Sequence, residues 1–319
     1  MTSRLIDIPA DIPAGLHNGT HIPITTIEGA RPGPTLALIA GNHGYEYPPI
    51  LALQQLRTQI DAAGLSGTVI LVHVANMPSF LGRTIYFSPI DGKNLNRVYP
   101  GRADGKVSER IAYAITNEVI DRADYVLDLH CGDGNESLRP YVYQTVTEDA
   151  RLNEEIARLA LAFGIDHIVI DRSRPTDPAR SMYCSNTAIT RGKPAMTVES
   201  GYLGTSDPEC VEQIVTGVRG VMRELKMLRD GPAPLSNAVY LDPTEVLTSP
   251  ETGILYPHVE RGERVTKGQL LAHVTDFFGE TVAEVHSPLE GVVLYIVATP
   301  PIVKGQPVGC VGAPQNQSR

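Results

Sequence analysis

Short apolar runs alternate with amphipathic stretches over the first two-thirds of the chain. The apolar runs predict strands, and stretches with apolar residues three or four positions apart predict helices. The predicted strands are 35–41, 68–75, 125–130, 167–171 and 195–199, and the predicted helices are 48–60, 108–120, 149–163 and 211–228. We expect Ser108 to cap the second of these helices. The alternation predicts an α/β fold with a parallel or mixed sheet that helices cover on both faces.

The pattern changes after about Tyr240, where short β-rich segments are separated by glycine-containing turns. Pro250 and Pro288 each begin a Pro-x-x-Gly sequence, which indicates an internal repeat like that of barrel-sandwich domains of the biotinyl-lipoyl type. No lysine occupies the turn of either half, so we expect no swinging cofactor. With the proline-containing segment 230–237 as a linker, the chain divides into an α/β domain at 1–230 and a smaller all-β domain at 238–319.

The composition of the chain limits its partners. The 319 residues are 42% hydrophobic and 20% charged, which is sufficient for a sizeable core and two domains. A formal net charge of −9 argues against nucleic acid, because phosphate binding needs a basic face. No apolar run approaches the ~18 residues that would span a membrane, and the N-terminus lacks the regions of a secretion signal. We therefore expect a cytoplasmic protein.

The four cysteines show no Cys-x-x-Cys spacing: Cys131, Cys184, Cys210 and Cys310. This spacing argues against both a disulfide framework and a thiolate zinc cluster. Cys131 follows a histidine of interest, and we interpret it as a small neighbour of that histidine rather than as a nucleophile.

Two histidines follow predicted strands. His43 comes after one apolar run and His130 ends another, and a glycine follows each within two residues. The carboxyl ends of parallel strands form the crevice in which α/β proteins bind ligands. With Glu46, three residues after His43, these side chains predict a site for one zinc ion that keeps a fourth position for water. His73, which lies inside an apolar run, is interpreted as structural.

Polar and basic side chains near these residues indicate a substrate site. Asn96 and Arg97 lie in the loop between the second and third predicted strands. A planar guanidinium beside an amide can hold a carboxylate with two hydrogen bonds. Arg83, upstream of this loop, is a second positive charge that can stabilise an oxyanion. Arg180 and Arg191 precede the last predicted strand and are further candidates to line the pocket.

Taken together and in order, these motifs resemble the succinylglutamate desuccinylase and aspartoacylase family of the zinc carboxypeptidase clan. The resemblance covers roughly residues 35–201 and implies a carboxypeptidase-like α/β fold. Its four motifs are His43-x-x-Glu46, Asn94-Leu95-Asn96-Arg97, Asp128-Leu129-His130 and Thr197-Val198-Glu199-Ser200-Gly201.

The resemblance implies a role for each matching residue. It makes Glu199 the general base that accepts a proton from the attacking water. It makes Asn96 and Arg97 the residues that hold the carboxylate of the substrate, and Arg83 the arginine that stabilises the oxyanion. The ligands of the zinc ion are then His43, Glu46 and His130.

One position departs from the pattern of the family. Members usually carry aspartate where this chain has Asn94, and an aspartate there can orient a ligating imidazole through its second nitrogen. The amide oxygen of Asn94 can accept the same bond without a charge, or Asp91 or Asp128 takes this role. Asp128 lies on the same face of the predicted strand as His130, which suits this role. Alternatively, Asp128 anchors a turn or a helix terminus.

The sequence therefore predicts a zinc-dependent amidohydrolase that removes an acyl group from a small N-acyl amino acid. A metallocarboxypeptidase acting on peptide C-termini uses the same centre and is the alternative. A metal-free binding protein with this fold is disfavoured, because the ligands and the base are all present. The acyl group and the oligomeric state, a homo-oligomer included, stay open.

Overall fold

The computed structural model describes residues 1–8 and 21–315. Within these residues the chain forms a large mixed sheet, six α-helices and a second, four-stranded antiparallel sheet. The N-terminal segment that we inspected for a secretion signal lies partly outside the described residues, at 9–20. Among the helices of the described part, none combines the length and the apolar character that crossing a membrane requires.

The strands and helices have the following bounds. The strands are β1 Thr2–Asp7, β2 His21–Glu28, β3 Arg31–Ala40, β4 Ser66–Val72, β5 Tyr125–His130, β6 Glu136–Leu138, β7 Tyr141–Thr145, β8 His167–Asp171, β9 Ala195–Glu199, β10 Val239–Thr248, β11 Gly253–Pro257, β12 Arg264–Val265, β13 Leu270–Thr275, β14 Thr281–His286, β15 Gly291–Val297, β16 Pro301–Ile302 and β17 Pro307–Pro314. The helices are α1 Tyr47–Gln59, α2 Met77–Gly82, α3 Val107–Glu118, α4 Ala150–Phe163, α5 Cys184–Ile189 and α6 Pro208–Glu224. Every strand and helix predicted above is present.

The large sheet is parallel at its centre. Its strand order is β1-β2-β4-β3-β5-β9-β7-β8-β10-β17-β15-β12, and β6 pairs with β15. The pairs β4·β3, β3·β5 and β5·β9 are parallel, and their register places His130 opposite Glu199. Because parallel strands need crossover connections, helices separate them in the chain. The predicted mixed α/β sheet is confirmed.

Helices cover both faces of this part of the sheet. Along β3, Leu36 and Leu38 face one core cluster that includes α1, α4 and α6, whereas Ala37 and Ile39 face a second cluster with α3 and α5. The alternation follows from the two-residue period of a strand. Both faces of β3 are therefore buried, as is usual in a parallel sheet.

The β-rich part contains the predicted internal repeat. In each Ser-Pro-x-x-Gly turn, the serine hydroxyl donates to the carbonyl two residues later at 2.6 Å, from Ser249 in one half and from Ser287 in the other. The carbonyl of Ser249 accepts from the N–H of Gly305 at 2.8 Å, and that of Ser287 accepts from Gly268 at 2.8 Å. Each half therefore closes its turn against a Lys-Gly-Gln turn of the other half, which confirms the barrel-sandwich-like architecture.

One strand joins the two parts of the molecule. Residues 239–241 of β10 pair in parallel with β8, and β10 from Leu241 onwards pairs antiparallel with β17. A second junction forms where β6 pairs with β15. The large sheet thus continues across the predicted boundary at 230–238, and the division into two domains stays a prediction.

The ends of two helices differ from the predictions. Ser108 is not the cap of α3, which begins at Val107; the backbone N–H and hydroxyl of Ser108 both donate to Asp91 at 2.8 Å. The N-cap residue is Lys106, and the N–H of Ser108 in the first turn is satisfied by a loop residue 17 positions earlier, which a local pattern does not reveal. Helix α6 begins at Pro208, because Asp207 accepts from the N–H of Glu209 and proline suits the first helical turn.

Close packing of α6 on α4 generates a test of the fold. A Cβ atom at Gly220 would lie 2.2 Å from the carbonyl oxygen of Ala162. We expect Gly220→Ala to lower the free energy of unfolding by about 1–3 kcal/mol, because backbone atoms must move to relieve the contact. Urea unfolding measures the change. The control Thr216→Ala, on the exposed face of α6, is expected to change stability by less than about 0.5 kcal/mol. Unchanged stability of Gly220→Ala would contradict this packing.

Candidate metal centre and active site

The carboxyl ends of three neighbouring strands carry the predicted site. His43 follows β3, His130 is the last residue of β5, and Glu199 is the last residue of β9. Glu46 is the N-cap residue of α1, and its side chain makes no capping hydrogen bond there. Since neighbouring parallel strands end at the same edge of the sheet, these four side chains lie together.

His43, Glu46 and His130 form a buried triad. The Nδ1 atom of His43 lies 2.8 Å, and that of His130 lies 3.0 Å, from Oε1 of Glu46. One potential ligand atom from each residue lies within 4.8 Å of the others. Oε2 of Glu46 is also buried and lies 3.0 Å from Nδ1 of His130. Two imidazole nitrogens and a carboxylate that converge in this way are a donor set suited to zinc.

The second nitrogen of each imidazole faces an oxygen. Nε2 of His43 lies 3.1 Å from Oδ1 of Asn94, and Nε2 of His130 lies 2.9 Å from Oδ1 of Asp128. Because both oxygens accept, each neutral imidazole carries its proton on Nε2 and directs the lone pair of Nδ1 towards Glu46. The two rings are therefore oriented to bind a metal ion through Nδ1.

This geometry explains the departure at Asn94. Its Oδ1 also accepts from the backbone N–H of Asn96 at 2.9 Å, so the amide oxygen is directed at His43. Asn94 thus makes the contact that we expected of the usual aspartate, but without a charge. Asp128 is the charged partner of the other histidine, and Asp91 lies at the start of α3 instead.

The charges of the triad affect its protonation. Burial alone would lower the pKa of His130, but the carboxylates of Asp128 and Glu46 raise it well above its usual value. Burial alone would raise the pKa of Glu46, but the two histidines lower it. A metal ion must displace protons from the histidines, so metal binding should weaken as the pH falls.

Glu199 lies beside the triad as a group able to exchange protons. The register of β5 and β9 places it opposite His130, and its side chain lines the same cavity. Burial raises the pKa of Glu199 well above its usual value; His130 opposes this effect, whereas Glu46 adds to it. A carboxylate with a raised pKa beside bound water is suited to accept a proton and then release it.

One cavity of about 160 Å³ joins the triad, Glu199 and the predicted substrate-binding residues. Tyr295 of β15 lines it, so the β-rich part of the chain supplies a portion of the wall. Sequence patterns did not indicate this, because the pairing of β15 with β6 joins segments that are far apart in the chain. The five tyrosines of the lining are Tyr86, Tyr141, Tyr143, Tyr183 and Tyr295.

Asn96 and Arg97 both line the cavity. The side-chain oxygen of Asn96 accepts from the N–H of Cys184 at 2.8 Å. Its Nδ2 lies 3.2 Å from Nε2 of His130 but does not donate to it while Nε2 carries the proton directed at Asp128. The guanidinium of Arg97 lies over the ring of Tyr183 at 4.7 Å. These contacts fix both side chains near the triad, and their role in binding a carboxylate stays a prediction.

Arg174 is a lining residue that the sequence analysis missed. Its guanidinium lies 4.1 Å from the centre of the Tyr183 ring, on which Arg97 also packs, and it forms an ion pair with Asp171. Arg174 follows β8 by three residues. Its position just after a predicted strand was a signal that could have identified it.

Three arginines named in the sequence analysis lie outside the lining of this cavity. Arg83 is exposed at the C-cap of α2 in a left-handed conformation, with φ of 50°. Arg180 is exposed, and Arg191 pairs with Asp121 at 3.1 Å. Arg83 is therefore not among the residues that line the cavity, and its oxyanion role stays a prediction.

Two further residues keep the interpretations made from the sequence. Half-buried His73 lies just after β4, and its Nε2 is 2.9 Å from Oγ1 of Thr25. Cys131 lines the cavity, and burial raises the pKa of its thiol well above the usual value. A neutral thiol is a poor nucleophile, in agreement with a packing role for Cys131.

Comparison with known proteins defines the class to which this fold and site belong. A family model described as the succinylglutamate desuccinylase/aspartoacylase catalytic domain matches residues 32–225. The chain therefore belongs to the succinylglutamate desuccinylase/aspartoacylase family, which confirms the resemblance of its motifs. It is 34% identical over 270 residues to the N-alpha-acetyl-L-2,4-diaminobutyric acid deacetylase of Halomonas elongata, a match that covers 83% of this chain and 77% of that protein.

Solved structures of similar proteins share the fold. A succinylglutamate desuccinylase from Silicibacter sp. TM1040 superposes with a TM-score of 0.83 at 28% identity, covering 93% of this chain and 89% of that one. The product-bound ectoine utilization protein EutE of Ruegeria pomeroyi superposes with a TM-score of 0.82 at 28% identity, covering 92% of this chain and 89% of that one. Both matches extend beyond the catalytic domain into the β-rich part.

The contact between Asn94 and His43 generates a test of the metal site. Loss of a group that orients a ligating histidine typically weakens metal binding about 10- to 100-fold. We therefore expect Asn94→Ala to bind zinc more weakly than the wild type by about this factor. Competition with a chromophoric chelator at fixed pH measures the zinc affinity. The matched variant Asn94→Asp keeps the acceptor oxygen and should bind zinc at least as tightly as the wild type. Wild-type affinity of Asn94→Ala would show that Asn94 does not orient His43.

Proposed function

We propose that this protein is a zinc-dependent deacylase that hydrolyses the amide bond of a small N-acyl amino acid. The observation that carries the proposal is the shared cavity of the buried triad, Glu199 and Arg97. It combines a metal donor set, a base and a group that binds carboxylates. Membership of the family and similarity to a deacetylase of an N-acetylated amino acid support this reaction class.

The residues of the triad fit a catalytic zinc ion. Catalytic zinc sites typically have three protein ligands and keep one position for water or substrate. His43, Glu46 and His130 would hold one ion per chain, with Asn94 and Asp128 orienting the two histidines. When bound, zinc lowers the pKa of a water molecule and polarises the carbonyl of the substrate.

The remaining steps belong to side chains of the cavity. Glu199 accepts a proton from the attacking water and passes it to the nitrogen that leaves. The burial that raises its pKa helps it retain this proton between the two transfers. Arg97 and Asn96 hold the carboxylate of the substrate, and the contact with Tyr183 fixes the plane of the guanidinium. We assign no step to exposed Arg83.

The size of the cavity favours a deacylase over the alternative, a metallocarboxypeptidase. Its volume of about 160 Å³ is smaller than the roughly 300–1,000 Å³ typical of sites for larger ligands. Tyr295 forms part of its wall, as expected if the β-rich part narrows access to the site. A small N-acyl amino acid suits this space better than a peptide does.

A substrate panel tests the reaction class. We expect the zinc-loaded protein to release amine from N-acetyl or N-succinyl amino acids, and not from dipeptides or longer peptides, because the cavity is small. A fluorogenic amine assay measures kcat/KM for each compound. Preference for peptides would make the carboxypeptidase interpretation correct, and failure to bind about one equivalent of zinc would remove the proposed metal chemistry.

Substitution of Glu199 separates catalysis from metal binding. We expect Glu199→Gln to retain about one equivalent of zinc but to lose turnover by about 10²- to 10⁴-fold, because an amide cannot accept the proton. Metal analysis and amine release on the same sample measure the two effects. The comparison variant His130→Ala should lose both zinc and turnover. Full activity of Glu199→Gln would exclude Glu199 as the base.

A further inference from the structure

Glu136 is an acid of the cavity that the proposed mechanism does not use. It is the first residue of β6, is half-buried, and lines the same cavity as the triad and Glu199. Within the described residues, its carboxylate accepts hydrogen bonds from Tyr86 and Asp133 but forms no ion pair with a lysine or arginine. When it is ionised, Glu136 therefore faces the cavity without a lysine or arginine of the described residues paired to it.

The hydrogen bond with Tyr86 does not explain why an acidic residue occupies position 136. The hydroxyl of Tyr86 donates to Glu136 at 2.6 Å, but it also lies 3.0 Å from Oδ1 of Asn135. A phenol has one proton to donate, so the neutral amide of Asn135 would satisfy it. Desolvation of a carboxylate is unfavourable unless the group is paired. The presence of an acid here indicates a further partner.

The surroundings of Glu136 favour a positively charged partner. Burial raises the pKa of Glu136 to about 7; the bond from Tyr86 opposes this, and the carboxylate of Asp133 adds to it. A cation nearby would stabilise the ionised form. Tyr86 and Tyr295 line the same cavity, and tyrosine rings attract cations.

The cavity therefore offers binding groups of both signs. Arg97 and Arg174 pack on the same ring, that of Tyr183, and suit a carboxylate. Glu46 and Glu199 are already assigned as metal ligand and base. Glu136 is the remaining acidic side chain among the lining residues, and it can bind a cationic group of the substrate.

We propose that Glu136 determines specificity by binding a positively charged side chain of the substrate, which is then an Nα-acyl amino acid with an ammonium group on a short side chain. This inference rests on the proposed deacylase function and adds the class of amine to it. The ammonium group donates to the carboxylate of Glu136 while the carboxylate of the substrate binds Arg97. A cavity of about 160 Å³ limits the side chain to a few atoms. Glu136 takes no part in proton transfer.

Three substrates whose side chains share two methylene groups and differ in the end group test the inference: the Nα-acetyl derivatives of L-2,4-diaminobutyrate, L-norvaline and L-glutamate. Their side chains end in an ammonium, a methyl and a carboxylate group. We expect kcat/KM of the wild type to be about 10- to 100-fold higher for the ammonium compound than for the neutral one, as for a hydrogen bond to a charged group, and lowest for the acid. Glu136→Gln keeps an acceptor for Tyr86, and its ratio of ammonium to neutral substrate should fall towards one.

Two further variants separate charge from structure. Tyr86→Phe removes the phenol bond but keeps the acid, so its ratio should stay well above that of Glu136→Gln. If Glu136→Gln does not fold, Glu136→Asp withdraws the charge by one methylene and should reduce the rate for the ammonium compound alone. An equal loss for all three substrates in a Glu136 variant would overturn the inference, since Glu136 would then act on catalysis or structure.

The wild-type results distinguish failure of the inference from failure of the proposed function. Equal kcat/KM for the ammonium and neutral substrates overturns the inference and leaves the deacylase function standing. If no acyl amino acid is hydrolysed, the proposed function fails. Titration calorimetry with the free amino acids then still tests whether Glu136 binds an ammonium group. Tighter binding of 2,4-diaminobutyrate than of norvaline, lost in Glu136→Gln, supports the inference; equal binding overturns it.

Discussion

Parallel pairing of β5 with β3 on one side and β9 on the other is the constraint on which the site depends. It brings the ends of three strands to one edge, with His130 opposite Glu199. Asp128 and His130 share a face of β5, which lets the carboxylate hold Nε2 of the imidazole. A shift of register by one residue would turn both side chains to the opposite face and separate them from Glu46.

A second constraint is the density of negative charge at this edge. Neighbouring carboxylates, among them Glu46 and Asp128, help to raise the pKa values of Asp133, Glu136 and Glu199. The two histidines offset this charge only when they are protonated. The proposed zinc ion would supply positive charge at the same point while leaving the imidazoles neutral. The orientation of the histidines and the acidity of the surroundings thus favour the same occupant.

Local sequence predicted the parts of the site that are local in structure. His43 and His130 follow apolar runs, and the edge to which parallel strands bring them can be inferred from those runs alone. Tyr295 and Glu136 depend on the pairing of β15 with β6, which joins distant segments and leaves no periodic signal. Arg83 also lies between ligands in the sequence, but at the left-handed end of α2 it is not among the residues that line the cavity, and its role stays a prediction.

The pairing of β6 with β15 has a consequence for how such proteins diverge. It sets Leu138 beside Tyr295 and Glu136 beside Val297, so the cavity wall is made where two distant stretches of the chain meet. The metal ligands lie on other segments. Mutations along β6 and β15 can therefore reshape the wall while the ligands stay unchanged, and new substrate preferences can evolve on an inherited catalytic centre. Exchange of the β-rich part between relatives would transfer half of this wall and leave the other half behind.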